Sequence, residues 1–313
     1  MKRIVMVFVC FALVSMTIKA QTAKVALQHN GNVTLYDSDK LADALTASVD
    51  GDTLYLNEGR FPGDVNITKK VSIIGSGANT VLTGAVIISI PGTPTLTSHL
   101  LDALCMEKLV RVTLPLKGLK IRKCQFYSFF FDALTEDITI DRCYSRGPFN
   151  LSDGIKRMNV INSKIWELTG EAEYAGDASF VNCNIYNMYN YYSNNSCRAT
   201  YMNCIIRGWS GSSNSSITYE NCLCGKNNYE NSVNRNCWNY NNTSILNSNT
   251  DCSLSDDQLR SNNYLGTDGT VVGITGGTNP FTLVPAGPKV SDYTIKVDTQ
   301  TKKLNVNIKV TAN

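Results

Sequence analysis

From residue 119 to residue 250 the chain repeats one pattern of apolar and polar positions. Alternating apolar residues lead into an Asn, then a Cys or Ser, then one further apolar position. Full copies are Val160-Ile161-Asn162-Ser163-Lys164-Ile165, Phe180-Val181-Asn182-Cys183-Asn184-Ile185, Tyr201-Met202-Asn203-Cys204-Ile205-Ile206 and Tyr219-Glu220-Asn221-Cys222-Leu223-Cys224. Ile121-Arg122-Lys123-Cys124-Gln125-Phe126 and Ile140-Asp141-Arg142-Cys143 lack the Asn, and Ile245-Leu246-Asn247-Ser248 closes the series in worn form. The Cys/Ser positions lie 19, 20, 20, 21, 18 and 26 residues apart. A fixed period of that length marks a solenoid whose units bury their apolar faces against their neighbours. Within a unit the apolar positions alternate, and segments rich in Ile, Val, Tyr and Phe are separated by Asn, Ser and Gly, which predicts strands and turns. Leucine-rich repeats share the period but need several Leu per unit. The prediction is an all-β chain: a single-stranded right-handed parallel β-helix whose coils each add two or three short strands, about 4.8 Å from those above and below.

In that geometry Asn suits the tight turn between two strands, because it tolerates left-handed backbone angles. Asn162, Asn182, Asn203 and Asn221 are expected to stack as a hydrogen-bonded ladder. The residue after each one, with Cys124, Cys143, Cys183, Cys204 and Cys222 in the same slot, is expected to point inward as a small apolar filler. This phrase resembles the Asn-ladder turn of secreted bacterial β-helix proteins of the pectate-lyase-like superfamily, over about residues 35–281. The resemblance implies a fold and leaves activity open, since that scaffold carries lyases, hydrolases, esterases, adhesins and tailspikes.

The apolar run 4–16 follows Lys2 and Arg3 and ends at Ile18-Lys19-Ala20-Gln21, which reads as a signal peptide over residues 1–20. The run is shorter than the roughly 20 residues that span a bilayer, so export to the periplasm, outer surface or medium is expected, with no membrane span. Residues 21–52 read as a strand at Val33-Thr34-Leu35-Tyr36 and a helix capped by Ser38. That helix carries Leu41, Ala44, Leu45 and Val49 on one face, as a lid for the open end of the solenoid. Leu41-Ala42-Asp43-Ala44-Leu45, Asp50-Gly51-Asp52-Thr53-Leu54-Tyr55-Leu56 and Val71-Ser72-Ile73-Ile74-Gly75 resemble the opening of the same bacterial proteins. The β-helix is expected over 53–284, with 85–117 fitting the repeat poorly and Asp268-Gly269-Thr270-Val271-Val272-Gly273-Ile274 closing the last coil. Residues 285–313 read as a linker and a C-terminal β-hairpin tail.

Eleven Cys would suggest disulfides in an exported chain. Their spacing places most in the ladder slot, and Cys224 at the apolar position held elsewhere by Phe126, Ile165, Ile185 and Ile206. Inward thiols in a line do not make a tetrahedral metal site. Cys197 and Cys237 are expected in similar parts of coils two apart, about 9.6 Å and beyond the reach of a disulfide. Cys105 and Cys252 have no assignment, and the thiols are expected to be reduced.

Composition narrows function little. The chain has 313 residues, 18% charged, with a net charge of +3, too slight to argue for nucleic acid or an anionic membrane. Candidate catalytic groups are Asp251, Asp256 and Asp257, which resemble the paired acidic motifs of polygalacturonase-type glycosidases. That family's Gly-His-Gly and Arg-x-Lys motifs are absent, and Asp256 and Asp257 read more simply as the start of a short helix over 255–259. A lyase would need an Arg or Lys base beside Ca²⁺ held by carboxylates of neighbouring coils. Asp132, Glu136, Asp137, Asp141 and Asp153, with Arg122, Arg142 and Arg146, are dense enough to weigh, although exposed ion pairs account for them as well. His29 and His99 read as surface residues. The binding reading rests on Tyr189, Tyr191, Tyr192, Trp209, Tyr229, Trp238 and Tyr240, set with Tyr186 among Asn and Ser in successive loops. Aromatic platforms with amide donors are what a glycan surface requires. The leading expectation is a monomeric, non-catalytic, cofactor-free protein that binds polysaccharide or a cell-surface glycan. The second is a polysaccharide lyase or glycosidase acting on acidic polysaccharide, with Ca²⁺ implied for the lyase alone.

Overall fold

The computed structural model describes residues 23–151, 155–170, 177–190, 198–211, 216–224, 232–239, 254–283, 289–298 and 303–311. As the chain advances its strands fall alternately into two parallel sheets. Lys120–Arg122 joins the first, Gln125–Phe131 the second, Thr135–Asp141 the first, Tyr144–Leu151 the second, and the alternation continues to Trp238–Asn239. The fold is therefore a parallel β-solenoid with one strand of each sheet per coil.

In-register stacking sorts the side chains into rows. Ile140, Val160, Phe180, Tyr201 and Tyr219 lie one above another and are all buried. The Phe180 and Tyr201 rings stack at 4.9 Å, and Tyr201 and Tyr219 at 5.2 Å. The second sheet faces this row with Phe126, Phe129, Phe131 and Phe149, whose rings lie 4.7 to 6.5 Å apart. These rows form one continuous apolar core along the solenoid.

The turn from first to second sheet places one residue per coil in the left-handed region: Ala103, Lys123, Arg142, Asn162, Asn182, Asn203, Asn221 and Asn236, with φ from 45° to 55°. Asn recurs there because its short side chain lowers a cost of roughly 1–2 kcal/mol for other L-residues. The left-handed N–H bonds to the next coil, as Asn162 does to the Val181 carbonyl at 2.9 Å. The N–H of the following residue is left inside the turn, and here the slot residue has a polar task that the filler reading missed. Cys143 N–H donates to Ser163 Oγ at 3.0 Å, Cys183 N–H to Cys204 Sγ at 3.4 Å, and Cys204 N–H to Cys222 Sγ at 3.5 Å. Each thiol or hydroxyl donates in turn to the carbonyl two residues earlier, at 3.2 Å for Cys204 and 2.8 Å for Ser163. A buried amide thus finds its acceptor on the neighbouring coil, and Ser replaces Cys without loss of function in the turn.

The repeat extends further than the Asn-Cys phrase. Ala103-Leu104 holds the turn between Leu101–Asp102 and Cys105–Val112, so the stretch expected to be irregular is an ordinary coil with apolar residues in both slots. Cys237 follows left-handed Asn236 and donates to the Arg235 carbonyl at 3.4 Å. It is a ladder residue, one coil after Cys222, and not the loop position that its 15-residue offset had implied. The coil is short, which hid it.

At the N-terminus, Lys24–His29 and Asn32–Asp37 extend the first sheet as an antiparallel hairpin on Thr53–Leu56. Helix α1, Leu41–Ala47, buries Leu41, Ala44 and Leu45 in the main core. Ser38 does not cap it: residues 38–40 form a 3-10 turn, no side chain caps the helix N-terminus, and Val49 lies beyond the last turn, 47% exposed. The C-terminal end is held instead by Lys69, whose ammonium donates to the Leu45, Thr46 and Ser48 carbonyls. Lys289–Asp298 and Lys303–Thr311 form the antiparallel hairpin expected at the C-terminus.

Cys204→Ser should cost under about 1 kcal/mol, whereas the isosteric but aprotic Cys204→Val should cost roughly 1–3 kcal/mol by orphaning the Cys183 amide. Urea unfolding of the two variants measures this, and equal midpoints would remove the polar role assigned to the slot.

Candidate functional site

The first sheet turns a row of short polar side chains outward. Thr139, Asn159, Ser179, Thr200 and Thr218 are in register on five successive coils, each three residues before the left-handed turn. Asn159, Ser179, Thr200 and Thr218 line an open groove of about 600 Å³, bounded by Arg157 and Asp177 and floored in part by Ala178 and Ala199. Ala178 and Ala199 belong to the inner face with Phe180 and Tyr201 and are buried in the main core. A Thr, Ser or Asn stands three places before the turn on the five coils that turn at Arg142, Asn162, Asn182, Asn203 and Asn221, whereas Lys120 holds that place before Lys123.

The polar rows flanking the groove alternate in sign. Lys117 pairs with Asp137 at 3.3 Å, and Arg157 bonds both Asp137 and Glu136, the latter at 2.8 Å. Hydrogen bonds from Arg157 first, and Lys117 with it, hold the Asp137 carboxyl below its ordinary range. Arg111 engages Asp132, Arg122 engages Asp102, and Arg142 engages Asp141. The carboxylates weighed as Ca²⁺ ligands are thus each matched by a cation, except Asp153, which lies outside the described residues. At a spacing of about 4.8 Å, like charges stacked coil on coil would repel, and the alternation removes that cost.

The sequence candidates disperse. Asp256 and Asp257 open helix α2, Asp256–Ser261, behind a capping box in which Ser255 Oγ accepts from the Gln258 N–H and Gln258 Oε1 accepts from the Ser255 N–H. Their place in the first turn favours the helix dipole, and no basic or acidic partner faces them among the described residues. Asp251, Tyr191, Tyr192, Tyr229 and Tyr240 lie outside the described residues. Tyr189 sits in the strand Asn184–Asn190 opposite Ser210, and Trp209 in Ile205–Gly211 opposite Met188. Residues 191–197 and 212–215 lie outside the described residues. Trp238 is no open platform: it packs on Tyr264 at 5.3 Å. Tyr186 is engaged on both faces, by Trp166 at 4.1 Å and by the Arg207 guanidinium at 4.3 Å.

Residues 254–277 cover the turn. The phrase expected to close the last coil runs back across the Asn positions as a strap. Thr267 N–H donates to Asn203 Oδ1, Gly273 N–H to the Asn203 carbonyl, and Ile274 N–H to Asn184 Oδ1. Asn162 Nδ2 donates to the Ile274 and Gly276 carbonyls at 3.3 and 2.8 Å. Of the four Asn expected to form a ladder, Asn162 and Asn203 bond the strap's backbone through their side-chain amides. Beneath it Ile205 and Leu223 join Leu254, Leu259, Tyr264, Val271 and Val272 in a second, smaller core.

The ladder thiols are buried and free, as are Cys105 and Cys224, while Cys237 is half-buried. Burial pushes the Cys143 thiol up to about 12 and also raises the Cys124, Cys204 and Cys222 thiols well above the ordinary range. Hydrogen bonds from Cys222 and Cys224 draw Cys237 below the ordinary thiol range. Cys252 lies outside the described residues. No family model matches the chain, and no curated protein or solved structure does.

Gly273 has φ +86°, and a Cβ there would lie 2.4 Å from Asn184 Oδ1. Gly273→Ala should loosen the strap at a cost of about 2 kcal/mol, seen as new protease cleavage within 264–277 and a lower melting temperature. A variant that melts and resists cleavage like the parent would show that the strap is not held there. With iodoacetamide at pH 8, Cys237 should be alkylated ahead of Cys124, Cys143, Cys204 and Cys222, since a raised pKa keeps those thiols protonated and a lowered one leaves thiolate. Mass spectrometry of the peptides decides, and labelling of Cys204 as fast as Cys237 would contradict the burial.

Proposed function

We propose that the chain is an exported, non-catalytic β-helix protein of the pectate-lyase-like type, and that it holds an extended polysaccharide along the groove of its first sheet. The observation that carries this reading is the in-register row Asn159, Ser179, Thr200 and Thr218, lying in a groove and repeating about every 4.8 Å. Short hydroxyl and amide groups are donors and acceptors at once, matching sugar hydroxyls without fixing a charge. A long chain meeting equivalent groups on successive coils gains affinity by repetition, with no single deep pocket. Export is supported by the leading segment over residues 1–20. The absence of catalysis is supported by the pairing of Asp132, Glu136, Asp137 and Asp141 with cations.

A glycan array on the mature chain tests this, beside Ser179→Lys/Thr200→Lys, which fills the groove with two solvated side chains. The double variant should lose about tenfold or more in affinity for any polysaccharide bound by the parent while melting within a few degrees of it. Retention of binding would remove the groove from the reading. Release of unsaturated ends from an acidic polysaccharide would overturn the non-catalytic part of it.

A further inference from the structure

Two left-handed turn positions carry long cations where other coils carry Asn: Lys123 at φ 51° and Arg142 at φ 52°. Both lie on coils before Asn162, the last ladder residue that the strap engages. Their surroundings are charged and almost balanced. Arg122 Nε donates to Asp102 Oδ2 at 3.0 Å, and Arg142 Nε donates to Asp141 Oδ1 at 3.0 Å. Each of these guanidinium groups has its carboxylate. Lys123 has none: its side chain is 8% exposed and makes no hydrogen bond or ion pair among the described residues. His99 is half-buried beside Arg122 and Asp102, and burial first, then Arg122, keeps it toward the neutral form. The cluster therefore holds one positive charge more than it neutralises. Burial first, and the neighbouring Arg142 and Arg122 after it, lower the Lys123 pKa, against a smaller opposing pull from Asp102 and Asp141.

Folding does not call for this lysine. Asn serves the same turn on five other coils and tolerates its backbone angles better. Its stem is buried along the turn while its ammonium reaches solvent, and departures from the local rule collect at binding sites.

We propose that the turn cluster around Lys123, flanked by Arg122 and Arg142, is a binding site for an oxyanion: the carboxylate or sulfate group of an acidic saccharide, or the free inorganic anion. It lies on earlier coils than the groove and at the other end of the first sheet's strands, and it stands or falls apart from the groove. The compact ammonium gives a charge-assisted hydrogen bond, and the two guanidinium groups add field without surrendering their carboxylates.

The test uses the mature chain, reductively ¹³C-methylated on its lysines and titrated with sodium glucuronate, sodium sulfate and neutral methyl glucoside. The Lys123 signal is assigned by its loss in Lys123→Asn, a substitution that keeps the residue type preferred at this turn. A shift of that signal with glucuronate and sulfate supports a general oxyanion site. Glucuronate alone supports the saccharide source, and sulfate alone the inorganic one. No shift with either anion, or an equal shift with methyl glucoside, overturns the proposal. By calorimetry Lys123→Asn should weaken the bound anion about tenfold or more, and Lys123→Arg by no more than about threefold. Anion affinity undiminished in a Lys123→Asn protein that melts at or above the parent temperature would also overturn it.

Discussion

In a parallel in-register stack every side chain lies within about 5 Å of its own equivalents on the coils above and below. A residue type is therefore admissible only if it is compatible with copies of itself or with a deliberate complement. The thiol slot meets this by chaining each coil's amide to the next coil's sulfur or hydroxyl. The inner aromatic row meets it by stacking Phe180, Tyr201 and Tyr219. Charged rows meet it by alternation, as in Lys117, Asp137 and Arg157. The hydroxyl row meets it because Thr and Ser both donate and accept. Core, turn, ion pairs and groove are four answers to one geometric demand.

The strap changes the demand on the outer surface where it lands. The position just after the thiol slot holds Gln125, Tyr144 and Lys164 on early coils, then Asn184, Ile205, Leu223 and Trp238. The switch from polar to apolar falls where residues 254–277 cover the solenoid, and Ile205 and Leu223 become 1% and 0% exposed. Ordinary polar exterior residues give way to a second core because the chain supplies its own cover. The strap's glycines suit it to lie close over amide side chains, and Asn162, Asn184 and Asn203 satisfy it where water would have served.

That switch shows why the architecture was legible and the site less so. Period, alternation and the Asn at a left-handed turn are local signals, and each survives in the structure. The polar duty of the thiol was hidden because Cys is usually an apolar filler, although Ser163 in the same slot pointed to a hydrogen bond. Ala103-Leu104 and Asn236-Cys237 were missed because one lacks both marker residues and the other follows a coil shortened to 15 residues. The strap was misplaced because its bonds join residues up to 114 positions apart, and no local pattern encodes those. Trp238 looked like a platform from its polar neighbours, but its partner Tyr264 comes from the strap. The groove row spans five coils, from Thr139 to Thr218, and is less conspicuous in sequence than the Asn and Cys because Thr, Ser and Asn interchange in it.

The turn residues divide along the same line. Where the strap engages the solenoid, the left-handed position is Asn, whose amide is short enough to bond a backbone passing overhead. Arg or Lys at Asn162 or Asn203 would hold the strap off. On the coils of Lys123 and Arg142 that constraint is relaxed, and longer side chains fit. Relaxation alone explains tolerance of a cation but not burial of its stem with no counter-charge, because an exposed Lys would rotate into water at little cost. Arg142 resolves its charge through Asp141, its immediate neighbour in sequence, and Arg122 does so through Asp102 one coil back. Lys123, lying between them, is left as the cation whose complement must come from outside the turn.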